Sequence, residues 1–99
     1  MAGSTLITRR FTWNKHKAES NLRKHDVSFD EAKTAFDDPL FVVFLDPDHS
    51  IEENRFILMG ESIRRRLLVV SYTERPQAIR LISARTATHK ERIAYEEEI

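Results

Sequence analysis

The segment "RRLLVVSYTERPQAIRLISAR" (residues 65–85) decides the fold of this 99-residue chain. Its first part is rich in β-branched residues and predicts a long strand over Arg65–Glu74. "ERPQ" is a turn signal, and "AIRLISAR" predicts the last strand over Ala78–Arg85. Strands joined by so short a turn pair antiparallel, so this hairpin is the predicted centre of a sheet.

Three shorter strand signals precede the hairpin. They are "FTW" (Phe11–Trp13), "LFVVFL" (Leu40–Leu45), which ends at the turn signal "DPDH", and "RFILMG" (Arg55–Gly60). Together with the hairpin they predict a sheet of about four to five strands.

Two helices are expected between the first and second strands. Asn14 is an N-cap candidate for "KHKAESNLRKH", in which Ala18 and Leu22 lie four residues apart on one helix face. Ser28 and Glu31 match the S-x-x-E capping box of a second helix, and "DDP" marks its end.

A third helix is expected after the last strand. Thr88 and Glu91 match a T-x-x-E capping box, and the helix should run to about Glu98. The element order β-α-α-β-β-β-β-α predicts an α+β fold, with an antiparallel sheet and the helices gathered on one of its faces.

Composition restricts the classes of function. The length predicts a single domain over residues 1–99. The absence of cysteine excludes disulfides and thiolate metal sites, and the two glycines form neither a P-loop nor a dinucleotide fingerprint. No apolar run reaches the roughly 18 residues of a membrane span, and the N-terminal segment lacks an apolar signal region. We therefore expect a cytoplasmic protein that does not bind membranes.

Charge is unevenly distributed along the chain although its formal sum is zero. Residues 1–25 and residues 61–92 each carry a net +5, whereas residues 26–60 carry −7 and residues 93–99 carry −3. If the two basic segments meet in space, they form a site for a phosphate-rich ligand. Scattered, solvated charge is the alternative, and the sequence leaves both open.

Several motifs resemble those of the BrnT family. They are "WNKHKAESNLRKHDVSFDEAKTAF", "RLLVVSYTER" and "RLISARTATHKERIAYEE", so that the resemblance covers roughly Trp13–Glu96. Only the acidic loop "DPDHSIEEN" looks individual to this chain. The resemblance implies a fold similar to the RelE/ParE toxins. It also implies a metal-independent endoribonuclease toxin of a type II toxin–antitoxin system, which a BrnA-like ribbon-helix-helix antitoxin neutralises. Contact with DNA would occur only through that antitoxin.

RNA cleavage without a metal needs one group to take the proton of the 2′-hydroxyl and another to neutralise charge on the phosphate. Arginine suits the second role because its planar fork matches phosphate oxygens. With the family resemblance, Arg66 and Arg85 become the catalytic candidates for charge stabilisation, and His25 or Glu74 the candidates for proton transfer. The expected RNA-binding residues are Lys24, Arg65, Arg80 and Tyr95.

Each candidate also has a structural explanation. Arg66 could blunt a sheet edge, Arg85 could pair with an acid at the strand–helix junction, and His25 could cap a helix C-terminus. Glu74 could be an ordinary turn residue, and Tyr95 could pack onto the sheet. The sequence alone does not choose between these roles.

Strand alternation predicts which candidates share a face of the sheet. Arg66 and Glu74 fall on one face of the long strand. On the last strand Arg85 is expected on the face of Ser83, Leu81 and Ile79, and Arg80 on the opposite face. A bulge would change this assignment.

We expect neither a metal nor a cofactor, because no His, Asp or Glu group has ligand spacing and "HKERIAY" lacks the second histidine of a zinc motif. Two other functions stay open. The chain could be a non-catalytic relative that only binds its antitoxin, or a gyrase inhibitor of the ParE kind.

Overall fold

The computed structural model describes residues 10–49 and 53–98. Three helices and five strands make an α+β fold, as predicted. Arg9 of the first basic segment and residues 50–52 of the acidic loop lie outside the described residues. The elements are β1 (Phe11–Thr12), α1 (Lys15–His25), α2 (Phe29–Thr34), β2 (Val42–Leu45), β3 (Arg55–Glu61), β4 (Leu67–Arg75), β5 (Ala78–Thr86) and α3 (His89–Glu98).

The five strands form one sheet in the order β1-β5-β4-β3-β2. The three pairings of neighbouring strands from β2 to β5 are antiparallel, but β1 pairs parallel to β5, with Phe11 opposite Ile79. The prediction of a purely antiparallel sheet was therefore wrong at this edge. The reason is that α1 and α2 carry the chain from β1 back along the sheet before the antiparallel meander begins.

The two faces of the sheet are covered by different helices. On the α1/α2 face, Leu58, Leu68 and Tyr72 of the sheet pack against Phe29 and Phe36 in the main core. On the other face, which we call the α3 face, Tyr95 of α3 packs in a smaller cluster, whose other buried members are Met59, Leu67 and Val69. The expectation that all helices lie on one face was wrong, because Tyr95 takes α3 to the other side.

A β-bulge interrupts the pairing of β4 with β5. Ser71 lies opposite Ser83 and Tyr72 lies opposite Leu81, so Ile82 has no partner on β4. An extra residue reverses the alternation of side chains on either side of it. Arg85 consequently shares the α3 face with Arg80, and not with Leu81 as strict alternation predicted.

Asn21 of α1 completes the exposed edge of β5. Its side-chain nitrogen donates to the carbonyl of Ala84 at 2.8 Å and to that of Val27 at 3.0 Å, and its Oδ1 accepts from the Ala84 N–H at 3.0 Å. The Asn21 side chain thus makes the hydrogen bonds to β5 that a longer neighbouring strand would make, because β1 has only two residues. Leu22 is 48% exposed, and Asn21 is the buried residue of α1.

Helix capping follows the predicted motifs with one difference. The Asn14 side chain accepts from the Lys17 N–H at 3.0 Å, and Thr88 and Glu91 make both bonds of a capping box. Ser28 accepts from the Glu31 N–H at 3.0 Å, but the Glu31 carboxylate turns away to the sheet. None of the described helices is long and apolar enough to cross a membrane.

Candidate functional site

Arg66 holds α2 to the start of β4 through a buried carboxylate. Its Nε donates to Glu31 at 2.9 Å, and its Nη2 donates both to Glu31 and to the Asp26 carbonyl. Ser62 Oγ and the more distant Arg64 also contact Glu31, at 2.7 and 3.4 Å. These arginine bonds lower the pKa of Glu31 and raise that of Arg66. The geometry makes Arg66 a structural clamp.

His25 and Lys24 lie close to this clamp in the chain, at the exposed end of α1. Asp26 follows them in the left-handed conformation, with φ of 57°, and its carbonyl accepts from Arg66. The structure therefore places three of the predicted site residues near one end of the sheet, on its α1/α2 side.

Glu74 lies apart from that group. It lies on the α1/α2 side of β4, and the Arg66 side chain also reaches α2, but Glu74 is eight residues further along the chain, which corresponds to roughly 26 Å in an extended strand. It lines a cavity of about 460 Å³ together with Arg10, Phe41 and Tyr72. Glu74 and Arg66 therefore cannot act on the same phosphate.

Arg85 makes a bidentate ion pair with Glu91 at the start of α3. Its Nη1 and Nη2 donate to the two carboxylate oxygens of Glu91 at 2.7 and 2.8 Å. The Arg85 bonds, helped by the Thr88 N–H, lower the pKa of Glu91 to about 2, although burial acts in the opposite direction. Glu91 consequently stays ionised at neutral pH and is unsuited to proton transfer. The Arg85 side chain nevertheless remains 41% exposed.

Tyr95 is packed against the sheet, whereas Arg65 is exposed at a turn. The Tyr95 ring is 8% exposed and its hydroxyl donates to Asp38 at 2.6 Å, so it has little surface to stack on a base. Burial, together with that bond, raises the pKa of Tyr95 to about 12. Arg65 is exposed at the turn between β3 and β4, with φ of 65°.

A row of polar side chains crosses the part of the α3 face that α3 leaves open. Thr73 of β4 lies opposite Arg55 of β3 and Arg80 of β5, so all three point to the same side. They line a cavity of about 490 Å³, to which Lys17 of α1 also contributes. Of these residues the sequence had suggested only Arg80. Thr73 and Lys17 carry no motif, and only the strand register brings them together.

Arg80 and Arg85 lie at two separate positions on this face. Their partners on β4, Thr73 and Val69, are four residues apart, which corresponds to about 13 Å. One phosphate cannot contact both arginines, but two phosphates of one RNA chain can. Within the described residues, no group of three His, Asp or Glu side chains could hold a metal ion.

Comparisons with known proteins agree on one family. The family model "Ribonuclease toxin, BrnT, of type II toxin-antitoxin system" matches residues 13–91. Among solved structures, the ribonuclease toxin BrnT of Brucella abortus, a crystal structure at 1.1 Å resolution, is similar in fold. Its TM-score is 0.65 at 21% sequence identity, over 83% of this chain and all of that one. No curated protein sequence gave a match.

Proposed function

Because the chain belongs to the BrnT family of type II toxin–antitoxin ribonuclease toxins, we propose that it is a metal-independent endoribonuclease. It would act in the cytoplasm and stop growth by cleaving RNA. The family implies an antitoxin partner, and we propose a ribbon-helix-helix protein similar to BrnA, through which alone the complex would contact DNA.

The observation that supports RNA as substrate is the bulge at Ile82, which brings Arg80 and Arg85 onto the same open face of the sheet. Arg85 stands where the sheet meets α3, and among the described residues its Nε makes no hydrogen bond. Arginine there would neutralise the phosphate while the 2′-hydroxyl attacks it and the 5′-oxygen leaves. Arg80 would hold a neighbouring phosphate.

The other predicted catalytic residues have less structural support for a role in cleavage. Arg66 is engaged by Glu31 and contributes mainly to stability. His25 is the better candidate for proton transfer, because it is exposed at the end of α1, the helix whose Asn21 bonds the backbone of Ala84 beside Arg85. Glu74 lies on the α1/α2 side of β4, the face opposite to that of Arg80 and Arg85.

Activity is tested with the purified protein and RNA, with and without EDTA, and with expression of the chain alone. We expect RNA decay that EDTA does not prevent, and growth arrest. Arg85→Ala should abolish cleavage, while Arg92→Ala, which removes an exposed arginine of α3, should retain it. Full arrest from Arg85→Ala would contradict the assigned role.

The variant Glu91→Gln distinguishes a catalytic role of Arg85 from a structural one. This change weakens the ion pair but leaves the guanidinium in place. A purely structural Arg85 predicts equal losses from Arg85→Ala and Glu91→Gln, whereas a catalytic one predicts that Glu91→Gln remains active. Thermal melts of each variant identify any loss that comes from unfolding.

The second candidate function is a non-catalytic module that binds the antitoxin. It is favoured by the ion pairs that occupy Arg66 and Arg85, and by the edge strand β2, where Val43, Phe44 and Leu45 are exposed. Tight antitoxin binding without RNA cleavage would support this function. DNA damage without RNA loss would instead support a ParE-like gyrase inhibitor.

A further inference from the structure

The cavity on the open half of the α3 face has the features of an anion site. It has a volume of about 490 Å³, and no residue of α3 lines it among those described. It lies between three adjacent strands and the first turn of α1, and Asp48, His49 and Glu53 of the β2–β3 connection complete its wall. The side chains that belong to the strands and to α1 are well positioned for a ligand.

Thr73 supplies a polar group that the fold itself leaves unused. The residue is only 4% exposed, and its Oγ1 has no hydrogen-bond partner within the described part of the chain. Buried hydroxyl groups are normally hydrogen-bonded, because leaving one unpaired is costly. Since Thr73 lines the cavity, a ligand oxygen entering there would complete its bonding.

The charge around Thr73 indicates an anionic ligand. Arg75 is paired with Glu53 at 2.7 and 3.2 Å, so the charges of these two residues cancel in the cavity lining. Arg55, which has further contacts, is left out of the count as well. The other charged groups are Lys17 and Arg80 against the single carboxylate of Asp48. Arginine and lysine donate but cannot accept, so these two donors with a hydroxyl suit a phosphate oxygen.

We propose that this cavity binds a phosphate of the RNA backbone, one or two nucleotides away from the phosphate that Arg85 contacts. The Thr73 hydroxyl donates to a phosphate oxygen, and Arg80 and Lys17 neutralise the charge. This inference rests on the proposed function for the identity of the ligand. The separation of about 13 Å between the two positions makes the cavity a positioning subsite, distinct from the site of cleavage.

Binding is measured with a short oligoribonucleotide whose 2′-hydroxyls are methylated, because it cannot be cleaved. Fluorescence anisotropy gives its affinity over a series of salt concentrations. Thr73→Val keeps the shape of the side chain but removes the hydroxyl, and should weaken binding about tenfold. Thr73→Ser, which restores the hydroxyl, should bind as the wild type does.

Arg80→Gln should weaken binding and reduce the salt dependence. Each phosphate contact to a single strand contributes about 0.7 to the slope of log affinity against log salt, and the variant should lose that amount. Arg23→Gln removes an exposed arginine at the other end of α1 and serves as the matched control. Its slope should stay unchanged.

Titration with inorganic phosphate, followed by amide chemical shifts, tests the site without RNA. Phosphate should shift the amides of Thr73 and Arg80, and the oligonucleotide should displace it. Phosphate binding that the oligonucleotide does not displace would overturn the assignment to RNA.

The phosphate experiments also separate the subsite from the nuclease activity. Shifts at Thr73 in a protein that cleaves no RNA would leave the anion site standing and contradict the proposed function. Cleavage with unchanged KM in Thr73→Val and Arg80→Gln, and no shift from phosphate, would contradict the subsite alone. A melting temperature of Thr73→Val at or above that of the wild type excludes misfolding as the cause of weaker binding.

Discussion

Replacement of Arg66 by alanine should remove a large part of the free energy of unfolding of this domain. Glu31, whose side chain is 4% exposed, would lose two arginine bonds, and the Asp26 carbonyl would lose a donor. Removing one partner of a buried ion pair costs about 3–5 kcal/mol. Arg66 is itself 24% exposed, and Ser62 would still donate to Glu31, so we expect about 3 kcal/mol.

That loss is large for a chain of this length. Native domains are stable by roughly 0.05–0.15 kcal/mol per residue, which corresponds to about 5–15 kcal/mol for 99 residues. A change of 3 kcal/mol should lower the melting temperature by about 12–24 °C. Urea unfolding followed by circular dichroism measures the free energy directly, and a thermal melt gives the temperature.

Arg64→Ala is the matched control for Arg66→Ala. Arg64 contacts the same carboxylate but at 3.4 Å, and its side chain is 65% exposed, so its removal should cost less than about 1 kcal/mol. A double variant, Arg66→Met with Glu31→Leu, should recover part of the loss because no buried charge is left alone. Equal unfolding midpoints for Arg66→Ala and wild type would refute the clamp.

The pH dependence gives an independent measure of the same pair. Arg66 lowers the pKa of Glu31 below its ordinary value of 4.5. Stability from this carboxylate is therefore fully present above about pH 4.5 and decreases as the pH falls through the lowered value. Arg66→Ala should lose stability less steeply over that acid range than the wild type.

Three further changes test other parts of the structure. Asn21→Ala should cost about 2–4 kcal/mol in urea unfolding, because three backbone groups at Ala84 and Val27 lose their partner; a change below 1 kcal/mol would contradict the edge-completing role. Arg65→Gly should stabilise the protein by about 0.5–1 kcal/mol, since φ of 65° is strained for arginine, and a lower melting temperature would contradict this. Tyr95 has a pKa raised to about 12, so its contribution is present below pH 10 and is lost as the pH rises towards 12. Tyr95→Phe should flatten this alkaline loss in a pH series of melts, and an unchanged profile would count against the Asp38 bond.

Local signals predicted the elements of this fold better than their arrangement. The capping residues Asn14, Thr88 and Glu91 act as expected, and the two long strands end within two residues of their predicted bounds. Such features depend on a few neighbouring residues. The side of the sheet taken by α3, and the parallel pairing of β1, depend on contacts far apart in the sequence, which periodicity does not contain.

The site was predicted less well than the fold because a single inserted residue changes it. Ile82 is bulged out of the ladder, and so the predicted separation of Arg80 from Arg85 was wrong. The sequence pattern of β5 has no glycine or proline to mark the bulge. Asn21 makes the bulge tolerable, because its amide bonds the backbone just beyond it, at Ala84. A polar residue on a different element therefore decides which arginines share a face.

The unpaired groups of this fold are more informative about function than its paired ones. Arg66 and Arg85 are the arginines that family motifs single out, yet each is matched to a carboxylate, so the folded chain already satisfies them. Thr73 leaves its buried hydroxyl without a hydrogen-bond partner among the described residues, at a cost of about 1–3 kcal/mol that a valine of the same shape would avoid. Departures of this kind are expected where a ligand completes the bonding. We therefore expect RNA to bind on the α3 face, where Arg85 retains exposed surface, and not on the α1/α2 face, where Arg66 does not need a ligand.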